Sequence, residues 1–364
     1  MPQMSTFIQN HPGEQDAKPK GNPNHNNQGL LYVTLLLLCI PLGITIPVLK
    51  RLTTIGKIEN WTMYGIIAVL SLLTIAMIIL VTKRMMFKNT AEQKKYYRLA
   101  GGLTWLPQEK REALQLEAPS CYHTGSWVET LEYWPAEIRM PRKTRFTTFQ
   151  IVTKEDRLAA NDEAWKVLSE KTYNERIDQL FAGMHSRLFA SDKQLMTDQT
   201  RNAMISRLEE LTQLPERYIT SCWEPQGSNP AILVWAFDLQ RIIELSRTSF
   251  MAGLITEQKA WEQILKAADY IHALFDEPDA FFNNYRIGHA YWSNDFKQTN
   301  EMAQIQKAYN NNCKWSIKDV SWTRKDHNIL PDVILNGCKD YVEEEIKKNA
   351  PNSIGFQPGN NDNN

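Results

Sequence analysis

Two uncharged apolar runs near the N-terminus dominate the hydrophobic pattern of this chain. They cover residues 30–49 and 63–82, and each has 20 positions without an acidic or basic side chain. A helix of about 20 residues spans the roughly 30 Å of a bilayer's hydrocarbon core, and a buried helix of a soluble protein rarely lacks a polar face. The pattern therefore predicts a transmembrane hairpin. Pro41 and Pro47 predict a bend in its first helix.

Charges around the two runs predict which side of the membrane carries the rest of the chain. Six Lys and Arg residues lie between positions 83 and 98, two lie in the N-terminal tail, and three lie in the link between the runs. Positively charged flanks tend to stay in the cytoplasm, so we expect both termini and the globular part on the cytoplasmic side of the membrane. Five cysteines without paired spacing fit a reducing compartment.

The remainder of the chain divides into two predicted segments between polar tails. Residues 1–28 and 350–364 are rich in Asn, Gln, Pro and Gly, and we expect them to be disordered. Residues 89–155 contain four prolines between short apolar runs, which predicts an irregular juxtamembrane subdomain with a strand. Residues 156–348 have helical periodicity. The predicted fold class is mainly α: a two-span hairpin, a small irregular, strand-containing lead-in and an all-helical cytoplasmic domain.

Three helices of this domain can be delimited from their end signals. Asn229 as a cap and Pro230 in the first turn predict the start of one helix, and Gly253 predicts its end. Thr256 predicts the cap of the next helix, and Pro278 predicts the first turn of the third. The turns between them are short, so we expect the three helices to pack as antiparallel neighbours.

An acid on the apolar face of the first of these helices is the leading candidate for chemistry. At 100° per residue, Asp238 lies among apolar positions and Arg241 lies at the edge of that arc. A buried carboxylate must be paired, hydrogen-bonded or protonated. Two interpretations follow: a structural pair of Asp238 with Arg241, or a functional acid that lines a pocket.

The third helix carries a second candidate. Tyr285, His289, Trp292 and Phe296 follow one stripe of this helix. His289 is either a packed core residue or a general base or ligand. Gly288 inside a helix is about 1 kcal/mol less favourable than Ala, which predicts a close approach of another helix at this position.

Further side chains are candidates for binding. The basic run at 139–145 is either a solvated loop or a contact with anionic lipid head groups. Its charged members are Arg139, Arg142, Lys143 and Arg145. Tryptophan is favoured at protein interfaces, although most of the eleven tryptophans should lie in the core. The tryptophans that we consider for an interface are Trp235, Trp261 and Trp292.

Charge and missing motifs argue against several function classes. The first 88 residues hold 8 of the 41 basic and 3 of the 41 acidic side chains, which leaves 33 and 38 in the remainder, a net charge of −5. Such a domain lacks the basic footprint of a nucleic-acid binder. The histidines and cysteines have no metal-site spacing, and no Gly-rich phosphate loop or nucleophile elbow is present. We therefore expect no metal and no cofactor, and the absence of a catalytic motif leans against an enzyme.

A resemblance to a known family rests on residues 235–241, 253–262 and 280–292. These segments resemble the YbeU/YbeR-like group, a bacterial domain family of unknown function. The resemblance is clearest over about 230–293 and extends loosely over 160–340. It implies an all-helical domain and no activity that can be transferred. The residues that match the family's motif are Asp238, Arg241, Trp261, Gly288 and Trp292. Trp235 departs from the motif, because it lies three residues before Asp238 and not directly before it.

These patterns together predict a membrane-anchored interaction or accessory protein that faces the cytoplasm. Its expected partners are the lipid bilayer and an unidentified protein, which it could neutralise or escort, and nucleic acid is not among them. One alternative is a membrane-proximal enzyme that uses Asp238 and Arg241. The other is a toxin-like effector.

Overall fold

The computed structural model describes residues 27–86, 106–133 and 154–349, apart from positions 125, 127, 129, 228, 314 and 315. The predicted C-terminal tail, most of the predicted N-terminal tail and the strand expected near 144–152 lie outside the described residues. In the described part, regular structure is helical, and β-pairing is limited to one isolated bridge between Gln226 and Asn229. The mainly α fold class is therefore confirmed.

The α-helices are numbered here in chain order. They are α1 (Asn27–Thr54), α2 (Asn60–Met86), α3 (Gln108–Gln115), α4 (Ala118–Thr124), α5 (Lys154–Trp165), α6 (Glu170–Phe181), α7 (Ser186–Leu195), α8 (Asp198–Thr212), α9 (Glu216–Ser221), α10 (Trp235–Met251), α11 (Glu257–Leu274), α12 (Pro278–Ser293), α13 (Phe296–Asn312), α14 (Asp332–Leu335) and α15 (Lys339–Asn349). Two 3₁₀ turns lie at Ser316–Asp319 and His327–Ile329.

The two N-terminal helices form the predicted hairpin. Within them, Leu36–Thr54 and Asn60–Val81 are long and apolar enough to cross a membrane. The helices contact each other, yet most of their large apolar side chains remain exposed, for example 68% of Leu36 and 67% of Leu72. In water such surface would be unfavourable, whereas lipid tails solvate it.

Helix α10 is the centre of the helical domain. It packs against α5, α6, α11 and α12, and 14 of its 17 residues are buried. The apolar side chains predicted for one face of this helix are indeed buried, but so is almost every other side. A helix that is enclosed all round must also bury its polar residues, and these need partners inside the domain.

Several predicted helix ends are confirmed. The Thr256 hydroxyl accepts a hydrogen bond from the Lys259 backbone N–H and so caps α11. Pro278 is the first residue of α12. Gly253 has a φ of +70°, the left-handed conformation that glycine adopts readily after a helix.

The predicted start of α10 is wrong by several residues. Gln226 and Asn229 exchange two backbone hydrogen bonds in a tight turn, so Asn229 does not cap a helix. The Leu233 N–H then donates to the Cys222 carbonyl, and the helix begins only at Trp235. The helix therefore does not begin at the local cap signals, Asn229 and Pro230, but after the longer-range backbone contact between Leu233 and Cys222.

The predicted aromatic stripe on α12 is also shortened. Asn294 has a φ of 46° and ends the helix after Ser293, and Asp295 caps α13 through the Gln298 N–H. Phe296 is therefore the first residue of α13 and does not continue the stripe.

The lead-in contains helices that the sequence analysis did not anticipate. Helices α3 and α4 occupy part of the segment that was expected to be irregular. Helix α3 packs against α11, and α4 packs against α13. The described residues of 106–133 thus lie in the same compact unit as those of 154–349.

The close approach predicted at Gly288 is confirmed. A Cβ built on Gly288 would overlap the Cβ of Phe237 on α10 and would lie 3.2 Å from the Cβ of Val234. The absence of a side chain therefore lets α12 touch α10, and this contact sets the spacing of the aromatic residues beside it.

Gly288→Ala should destabilise the full-length protein by about 1–3 kcal/mol, because the added methyl group forces the two helices apart. The better helix propensity of alanine offsets only about 1 kcal/mol of this effect. Chemical unfolding followed by circular dichroism would measure it. Gly65→Ala is the control, since a Cβ there meets nothing within 4 Å. Equal stability of the Gly288→Ala protein and the wild type would contradict the close contact.

Candidate functional site

Asp238 is completely buried and joins α10 to the start of α7. Its Oδ2 accepts hydrogen bonds from the Ser186 backbone N–H at 2.9 Å and the Ser186 hydroxyl at 2.8 Å. Its Oδ1 accepts from the His185 N–H at 3.0 Å and lies 2.7 Å from His185 Nδ1, which donates because a carboxylate only accepts. No side chain of α7 itself caps this helix, so the carboxylate from α10 does so.

The predicted pair of Asp238 with Arg241 is therefore wrong. The carboxylate points to His185 and Ser186, and its oxygens are occupied by donors from two consecutive residues. Sequence position could not show this partner, because His185 precedes Asp238 by 53 positions and approaches it only in the folded domain. An acid so engaged is a structural cap, and it has no oxygen left for a substrate.

Arg241 lies instead among aromatic rings. The central carbon of its guanidinium is 4.2 Å from the ring centre of Phe237, 4.8 Å from that of Trp292 and 4.9 Å from that of Trp165. These four residues are called the Arg241 patch. Burial lowers the pKa of Arg241, but an arginine remains charged at neutral pH. Within the part of the chain that the structure describes, no carboxylate pairs with this guanidinium, and it donates no hydrogen bond.

His289 borders the patch. Its ring meets those of Trp292 and Phe237 edge-on, with centres 5.9 Å and 6.0 Å apart. Burial and the nearby Arg241 charge lower the pKa of His289 to about 4, so the imidazole is neutral at pH 7. Its Nδ1 is buried and has no hydrogen-bond partner among the described residues. The surroundings are those of a packed aromatic core; the Asp295 charge acts on the pKa in the opposite direction, but no carboxylate of a described residue hydrogen-bonds the ring.

The three candidate tryptophans have different surroundings. Trp235 is fully buried and Trp261 is 6% exposed, so neither presents a surface to a partner in this conformation. Trp292 is 52% exposed, although one side of its ring covers Arg241. Only the last therefore combines an accessible indole with a charged neighbour. The basic residues Arg139, Arg142, Lys143 and Arg145 lie outside the described residues.

A buried ion pair that the sequence analysis missed attaches the lead-in to α10. Arg247 is fully buried, and its Nη1 donates to Glu117 Oε2 at 2.6 Å. The same guanidinium donates to the backbone carbonyls of Thr130 and Leu131, and it lies 3.7 Å from the ring centre of Tyr133. Removing one partner of such a pair typically destabilises a protein by about 3–5 kcal/mol, because a charge remains buried.

One sequence signal could have identified this second polar face. Gln240, Glu244 and Arg247 follow one another at helical spacings of four and three residues. In a helix with a solvated side, such a stripe would face water. On helix α10 only Arg241, Glu244 and Thr248 keep partial exposure, and this burial is a property of the whole domain that the helix's own sequence does not reveal.

Asp238→Ala should destabilise the full-length protein by about 3 kcal/mol, because the donors of His185 and Ser186 lose a charged acceptor in the interior. Chemical denaturation would measure the change. Asp198→Ala is the matched control at the start of α8, where the carboxylate is 91% exposed and pairs with Arg201, and we expect a loss below about 1 kcal/mol. If Asp238→Ala left the unfolding midpoint unchanged but abolished partner binding, Asp238 would be a functional residue and not a structural cap.

Two comparisons with known proteins found similar sequences. Residues 162–323 match a family described as a protein of unknown function, DUF1266. The matched segment includes α10 and all four residues of the Arg241 patch. The chain is also 28% identical over 254 residues to the inner membrane protein YnjI of Escherichia coli strain K12, a match that covers 65% of this chain and 72% of YnjI. No solved structure matches. These findings support a membrane-associated protein with an uncharacterised helical domain, and they do not confirm the narrower YbeU/YbeR-like grouping.

Proposed function

We propose that this protein is a membrane-anchored adaptor that binds an acidic segment of a protein partner at the Arg241 patch. One observation carries the proposal: the Arg241 guanidinium lies between aromatic rings and pairs with no carboxylate among the described residues. The rings restrict the side chain before any ligand arrives, so less conformational entropy is lost on binding. A guanidinium held in this way can receive a carboxylate through two parallel hydrogen bonds.

The neighbouring Trp292 supports the same function. Its indole is 52% exposed and forms the outer wall of the patch. Tryptophan and arginine are the residues that most often contribute the largest share of binding energy in protein interfaces. An acidic segment with a flanking apolar side chain would meet both of them, with the carboxylate on Arg241 and the apolar group on Trp292.

An enzyme that uses Asp238 and Arg241 together is less well supported. The Asp238 carboxylate is occupied by the start of α7, and Arg241 is directed toward aromatic rings. The Asp238 carboxylate is therefore not available to act with Arg241 on a shared substrate. The toxin-like alternative remains a prediction, because no described feature favours it.

The proposal places the adaptor domain in the cytoplasm. Its support is the excess of Lys and Arg on the flank that follows the second span, and the name of the relative YnjI, an inner membrane protein. A domain on this side would meet cytoplasmic partners close to the bilayer.

Arg241→Gln should abolish partner capture without unfolding the protein, because it removes the charge but keeps a polar side chain of similar length. Tagged full-length protein would be purified in mild detergent from its own host, and the bound proteins would be quantified by mass spectrometry. Trp292→Ala should weaken capture of the same protein. Arg324→Gln is the control, since this arginine is 42% exposed and already pairs with Asp276.

The interpretation of this capture experiment depends on a competitor. A partner held through carboxylates should be released by a short Glu-rich peptide and not by the corresponding Gln-rich peptide. Equal recovery by wild type and Arg241→Gln would refute the proposal. The patch would instead be assigned to lipid phosphates if neither the wild type nor Arg241→Gln captured a protein, and if Arg241→Gln lost the binding to anionic vesicles that the wild type shows.

The orientation makes a separate prediction. Green fluorescent protein fused to the C-terminus should fluoresce in intact cells, and alkaline phosphatase fused at the same position should be inactive, because the C-terminus follows two spans and basic flanks. The matched control moves both fusions into the link between α1 and α2, where the pattern should reverse. Active phosphatase at the C-terminus would place the domain on the opposite side.

A further inference from the structure

A half-open cleft lies beside α10, and its walls come from α4, α5, α12 and α13. Its volume is about 380 Å³, within the range of about 300–1,000 Å³ that is usual for small-molecule sites. Glu117, Gln240 and Glu244 contribute polar groups to the cleft, and Trp165 and Tyr285 contribute aromatic walls. The cleft is thus larger and more polar than a packing defect.

One carboxylate of the cleft is already committed to the protein. Glu117 accepts hydrogen bonds from the Tyr133 hydroxyl at 2.7 Å and 2.9 Å and from Arg247 at 2.6 Å. The positive charge of Arg247 balances it, so Glu117 is a fixed part of the wall and not the principal contact for a ligand.

Two other acceptors have no such partner. Gln240 is 5% exposed, its Nε2 faces Glu117 at 3.5 Å, and its Oε1 is buried without a hydrogen bond in the part of the chain that the structure describes. Glu244 lies one turn later on α10, and its carboxylate neither accepts a hydrogen bond nor forms an ion pair with a described residue. The buried Gln240 Oε1 without a donor is unfavourable by about 1–3 kcal/mol, and a ligand that donates would remove this penalty, whereas the Glu244 carboxylate is partly exposed.

Glu244 gives the cleft a second carboxylate, which can accept from a donor that is also a cation. Burial and the negative charge of Glu117 raise the pKa of Glu244 to about 7, although Arg241 and Arg247 act in the opposite direction. On the facing helix, burial keeps Tyr285 protonated by raising its pKa, and the Glu244 charge adds to this effect. A cation beside Glu244 would stabilise its ionised form.

Among the other titratable groups that line the cleft, Arg157 on α5 contributes a cation to the wall. Burial lowers its pKa, and Tyr133 and Asp156 act in the opposite direction. Burial raises the pKa of Tyr133, so its hydroxyl is neutral. The aromatic rings of the wall can contact an apolar body or the face of a cation.

We propose that this cleft binds a small ligand with a primary amine on an apolar body, whose ammonium group donates to Gln240 Oε1 and to the Glu244 carboxylate. The apolar body contacts Trp165 and Tyr285. This activity does not depend on the adaptor function, because the unpartnered acceptors belong to residues outside the Arg241 patch, although Trp165 borders both sites.

Calorimetric titration of the detergent-solubilised full-length protein tests the proposal with benzylamine as the probe. Benzyl alcohol serves as the neutral ligand of the same shape. We expect saturable benzylamine binding at pH 8, weaker binding at pH 6, where Glu244 is largely protonated and benzylamine is still a cation, and no saturable binding of benzyl alcohol.

Variants assign the effect to the two acceptors. Glu244→Gln should weaken benzylamine binding at least tenfold at pH 8. Gln240→Met should also weaken it, and this second variant tests the proposal by itself if Glu244→Gln does not fold. Glu175→Gln, at an exposed carboxylate on α6, is the matched control and should bind as the wild type does. Trp292→Ala should also retain amine binding while it loses partner capture, which separates the two proposals.

Three results would overturn this inference. They are the absence of a saturable signal for benzylamine at pH 8, equal affinity for the amine and the alcohol, and wild-type affinity in folded Glu244→Gln and Gln240→Met proteins. Each of them would mean that the cleft holds only solvent or binds apolar molecules without the two acceptors.

Discussion

The near-complete burial of α10 is the constraint on which the rest of the helical domain depends. A helix with one solvated side can direct its polar residues to water, but 14 of the 17 residues of α10 are buried and only Arg241, Glu244 and Thr248 keep partial exposure. Its charged side chains must therefore be neutralised, capped or held by aromatic rings within the domain. Asp238 satisfies this requirement by capping α7, and Arg247 does so by pairing with Glu117 from the lead-in.

The same constraint explains where function is to be sought. Two charged groups of α10 have no close hydrogen-bonding partner among the described residues: Arg241 lies among aromatic rings, and the Glu244 carboxylate accepts no hydrogen bond, although the two charges act on each other's pKa. Both are partly exposed, so each is accessible to a ligand. They lie one turn apart on the same helix, with Trp165 at the border between the Arg241 patch and the cleft.

Close packing makes this arrangement rigid. Gly288 allows α12 to touch α10 at Phe237, and Phe237 in turn supports both Arg241 and the ring of His289. Three of the four patch residues thus come from α10 and α12, whose separation is set by a single missing side chain, and Trp165 comes from α5. The hairpin adds a different constraint, since its exposed apolar surface would be unfavourable in water and its two helices are long and apolar enough to cross a membrane.

The sequence by itself determined the elements whose signals are local. The two apolar runs, the cap at Thr256, the start at Pro278, the end at Gly253 and the contact at Gly288 could all be read from composition, spacing and the conformational preferences of single residues. The start of α10 could not, because the backbone contact between Leu233 and Cys222 displaced the local cap at Asn229. Only the tertiary structure decided the partners of the charged residues. His185, Glu117 and the aromatic rings reach α10 from distant parts of the chain, and helical periodicity shows which side of a helix a residue occupies but not what covers that side.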